Sequence, residues 1–214
     1  MAHAHDEIAD YWNDYAGAYD DVPEHGLGDL ATHEAWRLLL ERWLPTQPSD
    51  VADLACGTGS LTALVAGLGH RVVGVDLADN MVQRARAKTV KFAEQVTITL
   101  GDASRPPIHP ASVDVILARH ILWTLPDPQA TIACWRLLLR PGGRFLLVEG
   151  RWRSMGDQGY TDDGHMPWAG GVRAVDLVTV IEPLVQRIEV VPLTDPVLWG
   201  EEVVDERYLL VADL

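Results

Sequence analysis

The chain has 214 residues, 31 of them acidic and 17 basic, for a formal charge of −14. That length suits one well-buried core rather than two ordinary domains, and so negative a surface repels nucleic-acid backbones and anionic lipid head groups. Two cysteines, Cys56 and Cys134, cannot make a disulfide framework, the start MAHAHDEIADYW lacks the basic and apolar regions of a signal peptide, and no apolar run reaches membrane-spanning length, so a cytoplasmic protein is expected.

In chain order, His3 and His5 form an i,i+2 pair near the chain end, which reads as tail residues, and no metal is expected. Residues 6–19, DEIADYWNDYAGAY, space Ile8, Tyr11 and Trp12, Tyr15 and Tyr19 by three to four, which predicts a helix with one aromatic face. A second amphipathic stretch, LATHEAWRLLLERWL at 30–44, is stopped by Pro45. From residue 51 the pattern changes to apolar runs: VADLA, RVVGVD, VTITL, VDVILA and RFLLVEG. Continuous apolar runs mark strands buried on both faces, hence a parallel sheet with helices between the strands. The stretches between them agree: SLTALVAGLG closes on glycine, ADNMVQRARAK opens with Asp79 as its helix-starting residue, and DPQATIACWRLLLRPGG runs to a Pro-Gly-Gly turn. The basic run QRARAKTVK at 83–91 reads as an exposed helix end that favours cations. Toward the end, AVDLVTVIEPL reads as a helix, VQRIEVVPL and ERYLLVADL as strands with no helix needed between them, and an antiparallel closing pair is the simplest account. The fold class expected is α/β: a doubly wound, mostly parallel sheet behind two N-terminal helices.

The chemistry centres on VADLACGTGSL at 51–61, where a strand enters a glycine-rich turn and then a helix. Gly57 and Gly59 leave the backbone open to a ligand, and the helix start offers free N–H groups; Cys56 lies inside the turn. A dinucleotide fingerprint would require a third glycine where Thr62 stands, so a nicotinamide or flavin dinucleotide is disfavoured. Asp76 ends the second strand, where a carboxylate can accept hydrogen bonds from both ribose hydroxyls. In LGDAS, Gly101, Asp102 and Ala103 follow the third strand, with Asp102 able to accept from an adenine amino group and Ala103 leaving room for the base. Ribose and adenine without a pyrophosphate, in an acid-lined cleft that suits a sulfonium cation, describe S-adenosylmethionine.

Five blocks in register carry a resemblance to the class I S-adenosylmethionine-dependent methyltransferases: DLACGTGSL, VVGVDLADNMVQRAR, GDA, SVDVILARHILWTLPDP and LRPGGRFLLVEG. The resemblance covers roughly residues 48–150 and implies a Rossmann-like, seven-stranded sheet with a reversed last strand, consistent with the hairpin read above. It further implies cofactor contacts from Asp53, Ala55, Gly57, Thr58, Gly59, Asp76, Leu77, Asp102, Ala103 and Arg119. Ala55 departs from the family by standing where a glycine is usual. Asp53 either contacts the ligand or orients the turn's amides, and Met81 either packs over the adenine or fills the core.

Methyl transfer requires an acceptor atom in line with the activated methyl group. His120 follows the fourth strand, facing the transfer site in the resemblance, and is the candidate general base; the alternative is a histidine tied into the turn ARHILW. The whole chain reads as one domain: a helical cap at 1–47, the cofactor core at 48–150, a lid-like insertion at 151–173 and a closing region at 174–214. In the insertion Tyr160, His165, Met166 and Trp168 are candidate substrate-wall residues. Tyr11 and Tyr19 are candidates to cap the cofactor, whereas His25 and Trp199 fall in loops with no assigned place. The expected function is methyl transfer to the oxygen, or nitrogen, of a small secondary metabolite by a monomer or homodimer. The competing readings are an S-adenosylmethionine-binding partner or sensor without transferase activity, and a dinucleotide oxidoreductase.

Overall fold

The computed structural model describes residues 2–23, 25–152 and 166–214, with side chains from residue 6 onward. Seven strands form one sheet: β1 (Asp50–Leu54), β2 (Arg71–Asp76), β3 (Val96–Leu100), β4 (Val113–Arg119), β5 (Leu139–Arg151), β6 (Arg187–Pro192) and β7 (Glu206–Asp213). Their order is β3-β2-β1-β4-β5-β7-β6, with β1 to β5 parallel and β7 antiparallel to both of its neighbours. This is the expected α/β sheet with its reversed last strand. Strand order reverses at β1, flanked by β2 and β4, so a crevice opens beyond the carboxyl ends of these strands.

Neighbouring residues on each strand point to opposite faces, and the two faces carry separate apolar layers. Ala52, Leu54, Ile116, Phe145 and Leu147 pack with Ile132 and Trp135 of α5 (Pro128–Leu138) and Leu177 and Ile181 of α6 (Ala174–Ile181). On the other face Val51, Val115, Leu117, Leu146 and Val148 meet Trp36 and Leu40 of α2 (Leu30–Trp43) and Leu61, Leu64 and Val65 of α3 (Ser60–Gly67). Burial on both faces is why the central strands are apolar throughout.

Several expectations are corrected in detail. The first helix, α1 (Ala2–Tyr15), stops before Tyr19, which opens a separate 3-10 turn at Tyr19–Asp21. The expected start of α4 (Asp79–Thr89) at Asp79 holds, but its carboxylate accepts from Gln83 Nε2 at 2.6 Å rather than capping the helix, and Ala78 stands at the cap position. Side-chain caps occur instead at Asp29, which accepts from Ala31 N and Thr32 N, and at Asp127, which accepts from Ala130 N. A one-turn helix, α7 (Pro196–Trp199), stands between β6 and β7 where none was expected. The basic run is built into the fold: Arg86 donates to Ile98 O, and Lys88 to four oxygens described below.

Candidate active site

The turn after β1 alternates its backbone. Ala55, Gly57 and Gly59 are left-handed at φ +58°, +55° and +80°. Cys56 N donates to Val75 O at 3.0 Å and Gly57 N to Asp76 Oδ2 at 2.8 Å, so the turn is laid onto the end of β2. Asp76 Oδ1 accepts from Ala78 N at 3.0 Å. Each oxygen of this buried carboxylate retains accepting capacity toward the cavity it helps to line. Burial raises the Asp76 pKa, and hydrogen bonds from Ala78, Gly57 and Leu77 oppose the rise.

The cavity runs over this turn and across the ends of β2, β3 and β4. Of the residues expected from sequence, Tyr19, Ala55, Gly57, Asp76, Leu77, Met81, Asp102, Ala103, Arg119 and His120 line it. Met81 lines the cavity and is also packed with Ala16 and Ala78 beneath Trp12 and Tyr19. Asp102 accepts from Ser104 N and Oγ, both at 2.7 Å, and Trp135 Nε1 fixes the same turn through Ala103 O at 2.7 Å.

The remaining expected residues lie behind or beside the wall. Asp53 is buried and accepts from Thr62 Oγ1 at 2.5 Å; burial lifts its pKa to about 6. Thr58 Oγ1 donates to Asp20 Oδ1 at 2.6 Å. Gly59 serves packing, because a Cβ there would come within 3.0 Å of Ala85 on α4. Cys56 packs with Val82, Ala85 and Ile98, and Gly101 N donates to Asp76 O at 2.8 Å. Tyr11 is 46% exposed and does not line the cavity; it packs with Tyr15 and with Trp12, which does line it. Trp168 packs against the α5/α6 layer rather than the cavity, Met166 is buried, and Tyr160 and His165 fall outside the described residues.

The N-terminal segment covers the turn. Tyr19 lies over Gly57, where an added Cβ would be 3.5 Å from its ring, and stacks on His25 with centroids 4.5 Å apart. Lys88 Nζ draws three elements together by donating to both oxygens of Asp20 and to Thr58 Oγ1 and Ser60 Oγ at 2.7–3.0 Å. Arg119 donates from Nη2 to His25 O at 2.9 Å and lies 5.2 Å over the Trp36 ring. Its buried Nη1 has no partner among the described residues. An orphaned guanidinium N–H is costly, and a carboxylate entering the cavity would satisfy it. Two acids flanking apolar Leu77, Met81 and Ala103, with a guanidinium beyond, fit the ribose, adenine and carboxylate of S-adenosylmethionine.

His120 occupies the far end of the cavity. It is left-handed at φ +58°, and its imidazole stacks on Trp199 (5.5 Å, 8°) and meets the edge of Trp152 (4.9 Å, 78°). Nε2 is buried without a partner among the described residues. Burial, with Arg119, His25 and Arg207 adding to it, holds the imidazole well below its usual pKa, so it is neutral at pH 7. Trp123 and Trp152, 5.7 Å apart, wall this end together with Arg207, whose guanidinium lies 4.5 Å over Trp199. His25, Ser104, Trp123, Trp152 and Arg207 were not singled out for the site from sequence. Trp123 and Trp152 follow β4 and β5, and their position past carboxyl strand ends was the available signal.

Residues 52–147 match the methyltransferase domain family. With the strand order and the five motif blocks, this match over part of the chain supports a class I S-adenosylmethionine-dependent methyltransferase. It is 36% identical over 140 residues to nocamycin O-methyltransferase of Saccharothrix syringae, covering 62% of this chain and 47% of that one. It is 32% identical over 107 residues to a ubiquinone biosynthesis O-methyltransferase of Thiobacillus denitrificans, covering 48% and 46%. The chain spans about half the length of the curated relatives it matches. Geranyl diphosphate C-methyltransferase from Streptomyces coelicolor A3(2) shares the fold at a TM-score of 0.72 and 17% identity, over 98% of this chain and 97% of that one.

Proposed function

We propose that the protein methylates an oxygen, or a nitrogen, of a compact secondary metabolite, with His120 as general base and a flat, hydroxylated aromatic or enolic molecule as the preferred acceptor. S-adenosylmethionine, when bound, supplies a methyl group already activated by positive charge. Asp76 would hold the ribose, Asp102 the adenine amino group and Arg119 the carboxylate. The observation that carries the reading is His120: a buried imidazole whose Nε2 has no partner among the described residues, pinned between Trp199 and Trp152 in the cavity wall, its pKa lowered by burial. A neutral ring nitrogen can take the acceptor's O–H proton as the oxygen attacks, and Trp123 and Trp152 offer flat apolar faces to an aromatic ring. Relatives named as O-methyltransferases support oxygen. The remaining expectations, a cytoplasmic protein acting alone or as a homodimer on small molecules, belong to the same proposal; no described helix is long and apolar enough to cross a membrane.

Calorimetry with S-adenosylhomocysteine, then label transfer from methyl-labelled S-adenosylmethionine to a panel of catechols, hydroxyquinones and aromatic amines, tests it. Asp76→Ala is expected to weaken S-adenosylhomocysteine binding at least several-fold, since it deletes the ribose acceptors and orphans Gly57 N and Ala78 N. His120→Ala is expected to cut turnover roughly 100-fold or more while leaving that affinity within twofold. Tight cofactor binding with no transfer to any probe would favour a sensor, and preferential binding of a nicotinamide dinucleotide would overturn the class of ligand.

A further inference from the structure

Glu149 is a fully buried carboxyl on β5 that the proposed reaction does not use. Its Oε1 accepts from the backbone N–H groups of Ile121 at 3.0 Å and Leu122 at 2.9 Å. Oε2 is buried without a partner among the described residues. Tyr208, opposite in register on β7, does not supply one, because its hydroxyl is paired with Val172 O at 3.0 Å. The two N–H groups belong to the residues directly after His120, whose left-handed backbone carries the steric cost of a Cβ at positive φ. On the near side His120 N donates to Val148 O at 3.0 Å. Consecutive residues of β5 therefore grip the turn at both ends, one by a carbonyl and one by a carboxyl. Trp123 Nε1 closes it through His120 O at 2.8 Å.

A buried carboxyl with one unpaired oxygen is an expensive way to fill space, and an apolar side chain of that size would pack without the cost. What the carboxyl provides, and leucine cannot, is one acceptor for two adjacent N–H groups. We propose that Glu149 is a positioning residue: its Oε1 fixes the left-handed turn that sets the His120 imidazole into the cavity wall between Trp152 and Trp199. This rests on the reading of His120 as the group that meets the acceptor's proton.

The test uses the full chain, saturated with S-adenosylhomocysteine, in three variants. Glu149→Gln keeps an Oε1 acceptor, Glu149→Leu removes it at similar volume, and Glu149→Asp withdraws it by one methylene. Amide exchange at Ile121 and Leu122 and the NMR titration of the His120 ring are followed, neither of which needs an acceptor substrate. Gln is expected to preserve both readouts. Leu and Asp are expected to speed exchange at the two amides at least tenfold and to move the His120 titration up toward the ordinary histidine range, with S-adenosylhomocysteine affinity within twofold. Should Leu fail to fold, Asp decides. Unchanged exchange and titration in a folded Leu or Asp variant would overturn the positioning role. The base reading fails separately: if His120→Ala transfers label to a catechol probe at the wild-type rate, His120 is no base, whatever Glu149 does to its turn.

Discussion

At Ala55 a methyl group occupies a left-handed backbone, φ +58°, in a turn whose other two left-handed positions are glycines. The left-handed conformation costs an L-residue roughly 1–2 kcal/mol, while glycine adopts it freely but loses more chain entropy on folding. Ala55→Gly is therefore expected to stabilise the fold by about 0.5–1 kcal/mol, read as a raised denaturation midpoint with S-adenosylhomocysteine affinity held or improved. A lowered midpoint would mean that the methyl group's packing outweighs the strain. The sequence displayed this substitution, and with it the acids, because motif residues are local: a turn, a strand end, a fixed spacing. Glu149 and Trp199 were equally present as letters and went unread. Their meaning comes from Ile121 and Leu122 across a sheet neighbour, and from His120 across the fold, and such partners leave no period in the chain.

Among the elements, the central strands and α2 to α5 were legible within a residue or two, apart from the early start of β5, because both faces of the sheet are buried; α6 ends three residues sooner than its pattern, at Ile181. The N-terminal segment was legible as a helical cap, but the contacts that fasten it were not. What fastens it is polar and long-range: Asn13 to Asn80 at 2.8 and 3.1 Å, and Lys88 to Asp20, Thr58 and Ser60. Burial works against ionisation of Asp20, yet hydrogen bonds from Lys88 and Thr58 hold its pKa below the ordinary value. Lys88→Met keeps the aliphatic stem and removes this node. It is expected to weaken S-adenosylhomocysteine binding roughly three- to tenfold, mainly through faster dissociation, and to raise amide exchange over residues 19–23. Stopped-flow release and exchange mass spectrometry would read both; unchanged release would separate the cover from the cofactor turn. Gly171 makes a similar link for the proposed acceptor end. At φ +94°, an added Cβ would run into Gly150 O and the Trp152 ring. Gly171→Ala is expected to raise the KM of an aromatic acceptor more than it changes cofactor affinity, and equal effects on both would deny Trp152 a separate role.

For the whole molecule, the buried titratable groups set how stability follows pH. Glu149, held up to about 8, and Asp53, held up to about 6, both by burial, bind protons more tightly folded than unfolded. Their stabilising contribution is complete below the ordinary carboxylate range and is lost as pH rises through the folded values. His25, pushed down to about 4 by burial and by Arg119, and His120, lower than usual for the same first reason, act in the opposite sense. Their contribution is present above the ordinary histidine pKa and is lost as pH falls below it. Between about pH 4.5 and 6 the two sets oppose one another, so the slope is shallow. From about pH 7.5 to 8 the histidines are largely neutral and Asp53 largely ionised in both states, which leaves Glu149 nearly unopposed. Stability should then fall with rising pH by up to about 1.4 kcal/mol per unit, the limit for one proton. Melting curves of the wild type and Glu149→Gln from pH 5 to 8.5 isolate this contribution. The wild type is expected to lose melting temperature above about pH 7.5 and the variant to lose much less. Parallel curves would show that Glu149 titrates near its ordinary range and that the charge at the heart of the His120 turn is already compensated.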